Sequence, residues 1–189
     1  QKSFSYKGIF GLDLIVTDSN EVKVIECNPR ITGSFPIIDM YYSVYGIKSP
    51  LQLHVEAFCE ESLSGWEEIQ EQYIAREGWG FSQAIFMIDK STFQNQTFPS
   101  QDIQPGKYVI QEGVITFKEP SLQFSKEDEH CFILCEMPEE DTKMGKRERM
   151  ARIIMSWEYQ KEKKLTQEVI NWVKTNLHLP EETTSLADQ

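Results

Sequence analysis

Basic residues are scarce in this sequence, with 19 lysines and arginines against 30 aspartates and glutamates and a net charge of −11. Unspecific binding to nucleic acid or to anionic membranes needs a basic surface, so the sequence predicts neither as a partner. Long apolar runs are also lacking, and none reaches the roughly 18–20 residues of a membrane-spanning helix. The 40% hydrophobic and 26% charged residues are instead typical of a soluble globular chain.

The first residues carry neither a starting methionine nor the basic and then apolar pattern of a secretion signal. We therefore expect the chain to be a fragment or a processed product. Cysteines are few, and none forms a C-x-x-C pair; they are Cys27, Cys59, Cys131 and Cys135. The three histidines are scattered, which argues against a zinc site. We expect reduced, mostly buried thiols and a cytoplasmic protein.

The hydrophobic pattern predicts an α+β protein, and residues 1–78 are expected to form its first domain. A β-hairpin is predicted with strands over 8–17 and 22–28, followed by two helices. The first helix, over 35–45, is apolar nearly all round and should be buried. The second begins after Ser49, with Pro50 at the first helical position and Gln52 completing a capping box.

Residues 79–179 are expected to form a β-rich C-terminal domain that ends in a helix. Its strands are predicted over 81–88, 107–111, 114–118, 131–137 and 149–157. The final helix is predicted to start at Thr166, with Leu165 and Ile170 forming a hydrophobic staple. The polar residues 180–189 predict a disordered tail.

Several charged residues outside the hairpin are expected to have structural or solvated roles. Asp102 and Asp128 have no evident partner and are expected to be solvated loop charges, and the acidic run 136–141 a solvated turn. The basic patch from Lys143 to Arg152 is expected to be the exposed approach to a strand. Its alternative role is to contact a phosphate or an acidic substrate. His54 lies near the apolar stripe of its helix and is expected to be structural.

The predicted hairpin places two carboxylates opposite each other. A turn centred between Ser19 and Asn20 pairs Asp13 with Glu26. Directly opposed residues have Cβ atoms about 4.5–5.5 Å apart and point to the same face. Asn28 lies two residues after Glu26 and therefore shares that face. The alternative is that these carboxylates simply face water, where opposed like charges cost a little stability.

Two carboxylates and an amide oxygen form an all-oxygen set of the kind that Mg²⁺ or Mn²⁺ prefers. Mg²⁺ usually completes its shell with water and substrate phosphates. Arg30 follows directly, and its guanidinium suits a phosphate. The run Thr32-Gly33-Ser34 adds hydroxyls and backbone donors before a helix N-terminus, which favours anions. Gly11, opposite Asn28, leaves space beside the set, so residues 8–35 predict a metal–polyphosphate site.

These residues resemble the C-terminal lobe of the ATP-grasp enzymes, in particular of carboxylate–amine ligases. The resemblance rests on Gly8-x-x-Gly11-x-Asp13 and, thirteen residues after the aspartate, on Glu26-Cys27-Asn28-Pro29-Arg30. It covers about residues 6–60 well. After residue 78 it is weaker, and the chain there is similar to the small β-rich domain that often follows the grasp.

The resemblance implies a role for each residue of the motif. Asp13, Glu26 and Asn28 match the family's ligands for Mg²⁺ (or Mn²⁺), and Glu26 is expected to bridge two ions. Arg30 matches the arginine that contacts the transferred phosphate, and Asn28, Arg30 and Ser34 are expected to contact ATP. In the family reaction a carboxylate attacks the γ-phosphate of ATP and becomes an acyl phosphate, from which an amine then displaces phosphate. The expected partners are therefore a small carboxylate and a small amine.

The sequence departs from the family in one respect, because no N-terminal grasp lobe precedes the motif. The chain alone is therefore expected to be an incomplete and inactive half-site, with the missing lobe supplied in cis or in trans. Two alternatives stay open. One is a non-catalytic binding or scaffold module derived from a truncated lobe. The other is an ATP-grasp carboxylase subunit of the biotin-dependent type.

Overall fold

The computed structural model describes residues 6–59, 68, 70–72, 80–88, 103–139, 142, 148–158, 160–179 and 184–186. The chain divides into two compact units, residues 1–78 and residues 79–189. Both combine helices with antiparallel strands, in agreement with the predicted α+β class. Within the described ranges, no helix is long and apolar enough to cross a membrane.

The first unit begins with a two-stranded hairpin of β1 (Gly11–Val16) and β2 (Val22–Asn28). The predicted pairs are confirmed, since Asp13 faces Glu26 and Gly11 faces Asn28. The register shifts between Asp13 and Leu14, because β2 contains one extra residue at this point. The extra residue is Ile25, which leaves Val24 opposite Leu14.

The turn that joins these strands differs from the predicted one. Val16 pairs with Val22, so the loop is centred on Ser19 rather than between Ser19 and Asn20. The Thr17 amide donates to the Glu21 carbonyl at 2.9 Å, and the Glu21 amide donates to Thr17 Oγ1 at 3.1 Å. Asn20 takes a left-handed φ of 59°, which asparagine tolerates better than most residues. The predicted centre is therefore wrong, and the β-bulge restores the predicted carboxylate pair.

Two helices follow the hairpin, α1 (Phe35–Val44) and α2 (Pro50–Cys59). The predicted capping box of α2 is confirmed, because the Ser49 amide donates to Gln52 Oε1 at 2.8 Å and the Gln52 amide donates to Ser49 Oγ at 3.3 Å. In α1 only Tyr41 and Tyr42 are buried. The prediction that α1 is buried nearly all round is therefore wrong for most of its length.

One face of the hairpin is apolar and exposed. The residues on it alternate with the carboxylate face along both strands and are 46–64% exposed; they are Leu12, Leu14, Val16, Val22 and Val24. A two-stranded sheet needs further strands or a packing layer for stability. A contiguous apolar surface of this kind marks an interaction surface or an aggregation risk.

We predict that charges placed on this apolar face reduce self-association of the chain. Leu14→Lys with Val24→Glu introduces opposite charges at directly paired positions, so the hairpin itself should stay intact. Sedimentation velocity and binding of a hydrophobic dye measure the effect. Ile15→Lys is the matched control, since Ile15 is equally exposed but lies on the other face. Equal dye binding by the double variant and the unmodified chain would contradict the prediction.

The second unit contains a six-stranded antiparallel sheet in the order β5-β4-β6-β7-β3-β8. One long helix follows β7 in the chain. The elements are β3 (Ser82–Ile88), β4 (Gly106–Gln111), β5 (Val114–Glu119), β6 (Cys131–Cys135), β7 (Glu148–Met155), α3 (Lys163–Asn176) and β8 (Thr184–Leu186). The five strands predicted from the sequence are present with slightly different bounds. The short β8 pairs with β3, whereas the sequence predicted disorder for residues 180–189.

The core of this unit lies between α3 and one face of the sheet. Fully buried side chains from the central strands, including Phe86, Phe132 and Ile153, form one cluster with Val169 and Val173 of α3. Burial of each such side chain contributes about 1.5–3 kcal/mol relative to exposure. This cluster therefore holds the helix against the sheet.

The start of α3 differs from the predicted one. The helix begins at Lys163, three residues before Thr166. Thr166 lies inside the first turn, where its hydroxyl donates to the Glu162 carbonyl and accepts a hydrogen bond from Trp157 Nε1, both at 2.9 Å. Serine-like hydroxyls favour helix starts, but a buried tryptophan that needs a partner overrides that local preference here.

The four cysteines do not share one environment. Cys27 and Cys59 are exposed, so the prediction that the thiols are mostly buried is wrong for these two. Cys131 is buried, and burial together with the charge of Asp128 raises the pKa of its thiol. Burial, helped by the charge of Glu136, raises the pKa of Cys135 to about 11.

We predict that alkylation at pH 7.5 separates the thiols into two pairs. Cys27 and Cys59 should react with iodoacetamide in minutes. Cys131 and Cys135 should react at least about ten-fold more slowly, because the thiolate is the reactive form and burial disfavours it. Peptide mass mapping measures the order, and labelling in urea should make all four react. Fast labelling of Cys131 in the folded chain would show that β6 is not packed as described.

Candidate metal and phosphate site

The polar face of the hairpin brings the predicted ligands together. Asp13 and Glu26 are directly opposed, and Asn28 follows on the same face. The Asn28 amide nitrogen donates to Asp13 Oδ2 at 3.3 Å. Both carboxylates are exposed, so neither carries a desolvation cost in this arrangement. The strand register thus places two carboxylates and one carboxamide on the same face of the hairpin.

The chemistry of these donors fits a hard divalent cation that also binds a substrate. Among the residues that the structure describes, no group of three or more carboxylate, histidine or cysteine side chains is placed to hold a metal. The set on this face has only two carboxylates and therefore needs the amide oxygen of Asn28. A cation would select the rotated amide, with Oδ1 beside Asp13 in place of the nitrogen. Mg²⁺ is commonly held by one or two carboxylates plus phosphates and water, and the donor types of this set match that pattern.

A third charged residue shares this face as a result of the β-bulge. Ile15 lies two residues after Asp13 and thus on its side of the hairpin, and Lys23 pairs with Ile15. Lys23 Nζ lies 3.5 Å from Glu21 Oε2, and both side chains are well exposed. Without the bulge, Lys23 and Glu26 would lie on opposite faces, since they are three residues apart. Sequence reasoning missed this cation because nothing in the local sequence announces the bulge.

Arg30 follows β2 after a sharp bend in the chain. The Arg30 amide donates to the Asn28 carbonyl at 2.8 Å, across the intervening Pro29. The chain therefore bends sharply immediately after β2. The exposed guanidinium makes one long contact of 3.4 Å with the Ile31 carbonyl, which leaves most of its five donors for an anion.

Thr32 lies over the same face, above Gly11. A Cβ at Gly11 would point to the side of Asp13, and it would meet Thr32 Cγ2 at 2.7 Å. The Thr32 hydroxyl lies 3.0 Å from Ser34 Oγ. The predicted open space beside Gly11 is thus filled by the Thr32 methyl group. The spacing of the motif gave no signal for this contact, because it depends on how the loop folds back.

The start of α1 offers fewer backbone donors than the sequence suggested. The Phe35 amide donates to the Thr32 carbonyl at 3.1 Å, and Pro36 has no amide hydrogen. Ser34 is the N-cap, yet its side chain makes no capping bond, since it contacts Thr32 instead. Anion binding in this loop would therefore depend on side chains more than on the helix terminus.

His54 anchors the segment before β1. Its Nδ1 accepts a hydrogen bond from the Ile9 amide at 3.0 Å, and its ring contacts Phe58 edge-on at 5.1 Å. Gly8 adopts a φ of +108° directly against the imidazole. A side chain at Gly8 would collide with the ring. His54 is therefore structural, as the sequence predicted.

The strongest electrostatic cluster lies in the second unit and is structural. Asp128, whose side chain is fully buried, accepts hydrogen bonds from Lys107 Nζ and Lys118 Nζ, each at 2.7 Å, and from the Ser125 amide at 2.7 Å. Burial acts to raise the pKa of Asp128, but these donors outweigh it and hold the pKa well below its usual range. Burial likewise acts to lower the pKa of Lys107, and its bonds to Asp128 and Glu119 raise it. The prediction of a solvated Asp128 is wrong, and Asp102 lies outside the described residues.

The basic patch of the sequence is also not simply an exposed approach to β7. Arg152 is only 2% exposed, and its Nε lies 3.2 Å from Glu136 Oε2. Arg149 pairs with the same carboxylate. Glu136 is thus an ion-pair partner rather than part of a solvated turn, and Lys143, Lys146 and Arg147 lie outside the described residues.

A surface cavity of about 550 Å³ lies between α3 and the β4–β5 hairpin. Its walls include Tyr108, Phe117 and Trp172, and no charged side chain lines it. The Tyr108 hydroxyl donates to the Gln104 carbonyl and accepts from the Gln104 amide. Gln104 and Asn176 also line the cavity, so it presents polar groups beside the aromatic rings.

No known protein family, no curated protein and no solved structure matches this chain.

Proposed function

We propose that this chain is the C-terminal part of an ATP-grasp ligase that joins a small carboxylate to a small amine in the cytoplasm, with ATP and Mg²⁺ (or Mn²⁺). The observation that carries the proposal is the direct opposition of Asp13 and Glu26 across the hairpin. Asn28 beside them and Arg30 after a tight turn complete the motif that the resemblance rests on. The geometry supports this reading because it brings these residues together without any being used in the core.

Each residue of the motif would have a separate role in the proposed reaction. Asp13, Glu26 and Asn28 would hold the divalent cation, which offsets the charge of the two anions that must meet. Arg30 would stabilise the γ-phosphate as it transfers to the substrate carboxylate, with ADP as the leaving group. The amine then attacks the acyl phosphate, and inorganic phosphate leaves. Ser34, bonded to Thr32, would contact a phosphate oxygen of ATP.

The exposed apolar face of the hairpin supports the part of the proposal that concerns a partner. Its polar face carries the metal and phosphate residues, so the opposite face is available for packing. We propose that the rest of the grasp, supplied in cis or in trans, covers it. The chain alone would then be inactive, since the half that binds adenine is not in it.

Trapping of the acyl phosphate tests the proposal. The native protein that contains this segment is isolated with an antibody and incubated with ATP, Mg²⁺ and pools of small carboxylic acids in hydroxylamine. An acyl phosphate reacts with hydroxylamine to give a hydroxamate, which mass spectrometry identifies. Hydroxamate that depends on ATP and on one acid is the expected result. Incorporation of bicarbonate instead of an acid would favour the biotin-dependent carboxylase type.

A non-catalytic scaffold is the second candidate, and the same apolar face is the observation that favours it. A module that only binds a partner needs this surface and needs no metal. ATP-dependent hydroxamate would exclude it. A native protein that binds a partner but neither Mn²⁺ nor ATP would favour it over the ligase.

A further inference from the structure

We infer that Thr32 is a positioning residue that holds the Arg30 loop over the carboxylate face of the hairpin. Gly11 leaves the space that the Thr32 methyl group occupies. The inference rests on the proposed function and deepens it. Gly11 and Thr32 would together place the Arg30 guanidinium, which is the group that contacts the transferred phosphate. The loop is defined as residues 29–34.

A close steric contact links Gly11 to Thr32. Gly11 is in β1, directly opposite Asn28, and its missing Cβ would lie 2.7 Å from Thr32 Cγ2. Carbon atoms in contact normally lie about 3.5–4.0 Å apart. An alanine at this position would therefore displace the Thr32 methyl by about 1 Å, unless that methyl were absent.

Thr32 also makes two contacts at the end of the loop, one to Ser34 and one to the first residue of α1. Its carbonyl accepts the Phe35 amide at 3.1 Å, and its hydroxyl contacts Ser34 Oγ at 3.0 Å. Arg30 is two residues earlier and is tied to Asn28 by its own amide at 2.8 Å. A shift of Thr32 must therefore move the loop or break the contact with Ser34. Misplacement of a binding group by about 1 Å can cost about 100-fold in a reaction.

Positioning of the loop is distinct from stabilisation of the hairpin. Asp13 and Glu26 are fixed by the strand pairing and not by the loop. Displacement of the loop should therefore weaken the hold on a phosphate and leave the hold on the metal alone unchanged. A residue that merely stabilised the hairpin would affect both.

The experiment measures Mn²⁺ binding to the full chain by electron paramagnetic resonance, with and without inorganic tripolyphosphate. In the unmodified chain tripolyphosphate should tighten Mn²⁺ binding. In Gly11→Ala, the Kd of Mn²⁺ alone should stay within about two-fold of its value in the unmodified chain. The tightening, which is the ratio of the Mn²⁺ Kd without tripolyphosphate to the Kd with it, should fall about ten-fold. This is the loss expected for one charge-assisted hydrogen bond. Arg30→Gln should give the same pattern.

A compensating variant makes the test specific. Gly11→Ala combined with Thr32→Ser removes the colliding methyl and keeps the hydroxyl, so it should restore the tightening to within about three-fold of the unmodified chain. Gly80→Ala is the matched control, because a Cβ there meets nothing within 4 Å and Gly80 lies outside the hairpin and the loop. It should behave like the unmodified chain. A nuclear Overhauser contact between the Gly11 α-protons and the Thr32 methyl should be present in the unmodified chain and is read independently of any ligand.

The possible failures are distinguishable. Tightening that survives in Gly11→Ala, or a double variant that is not rescued, overturns the inference and leaves the proposed function standing. If Gly11→Ala no longer binds Mn²⁺ alone, the inference is also overturned. The contact between Gly11 and the Thr32 methyl group would then stabilise the hairpin and not the loop. Absence of Mn²⁺ binding in the unmodified chain overturns the proposed function, and the inference falls with it.

Discussion

In the proposed ligase, Glu26→Gln should lower ATP-dependent phosphate release at least about 100-fold, as expected when a ligand of the cation that stabilises the reacting phosphates is removed. The substitution keeps the shape of the side chain and removes the charge that would hold the cation. Because Glu26 faces Asp13 directly, its loss leaves a single carboxylate on that face. The Mg²⁺ concentration needed for half-maximal activity should rise at the same time.

Glu21→Gln is the matched control for this prediction. Glu21 is on the same hairpin and is exposed, but it lies in the turn and contacts Lys23. Its substitution should change phosphate release by less than about two-fold, in keeping with the small value of an exposed ion pair. Unaltered phosphate release in Glu26→Gln would remove Glu26 from the metal site.

Asp128→Asn should lower the free energy of unfolding of the second unit by about 3 kcal/mol, the low end of the range for a broken buried ion pair. Asp128 is the buried acceptor for Lys107, whose side chain is 5% exposed. The asparagine would leave that ammonium with Glu119 alone, at 2.9 Å. Urea denaturation followed by tryptophan fluorescence measures the change.

Two variants control for this prediction. Glu129→Gln changes the neighbouring exposed carboxylate and should have an effect below about 0.5 kcal/mol. Lys107→Met combined with Asp128→Asn removes both charges and should recover part of the loss, since an unpaired buried charge costs more than an absent pair. A single Asp128→Asn variant as stable as the Glu129→Gln variant would mean that the cluster is solvated.

The same cluster predicts how stability depends on pH. The pKa of Asp128 is lower in the folded chain than in the unfolded chain, where an aspartate has a pKa of about 3.9. Its contribution is therefore fully present well above pH 3.9 and is lost as the pH falls below it. Between about pH 5 and pH 2 the unmodified chain should lose more stability than Asp128→Asn, which lacks the titrating group. Parallel curves for the two proteins would contradict the assignment.

The carboxylate pair was predictable because strand alternation fixes which residues share a face. The predicted carboxylate pair is right although the predicted turn is wrong. The loop centre shifts the strand register by one residue, and the extra residue at Ile25 shifts it back. No local pattern distinguishes a bulged apolar residue from a paired one. For the same reason Lys23 was not assigned to the carboxylate face.

Contacts between distant segments were the part that sequence reasoning could not reach. Asp128 lies in a loop rich in charged residues, and only the fold brings it to Lys107, twenty-one positions earlier. Thr32 likewise meets Gly11 because the chain bends sharply after β2. By contrast, the capping box at Ser49 was predictable, because both of its partners lie within one turn of helix.

Paramagnetic broadening by Mn²⁺ in amide spectra of the chain tests most directly whether the hairpin face is a divalent-cation site. Substoichiometric Mn²⁺ should broaden residues 11–13 and 26–30 first, and Glu26→Gln should abolish this broadening. Broadening that begins at other acidic segments of the chain, with Asp13 and Glu26 unaffected, would contradict this prediction.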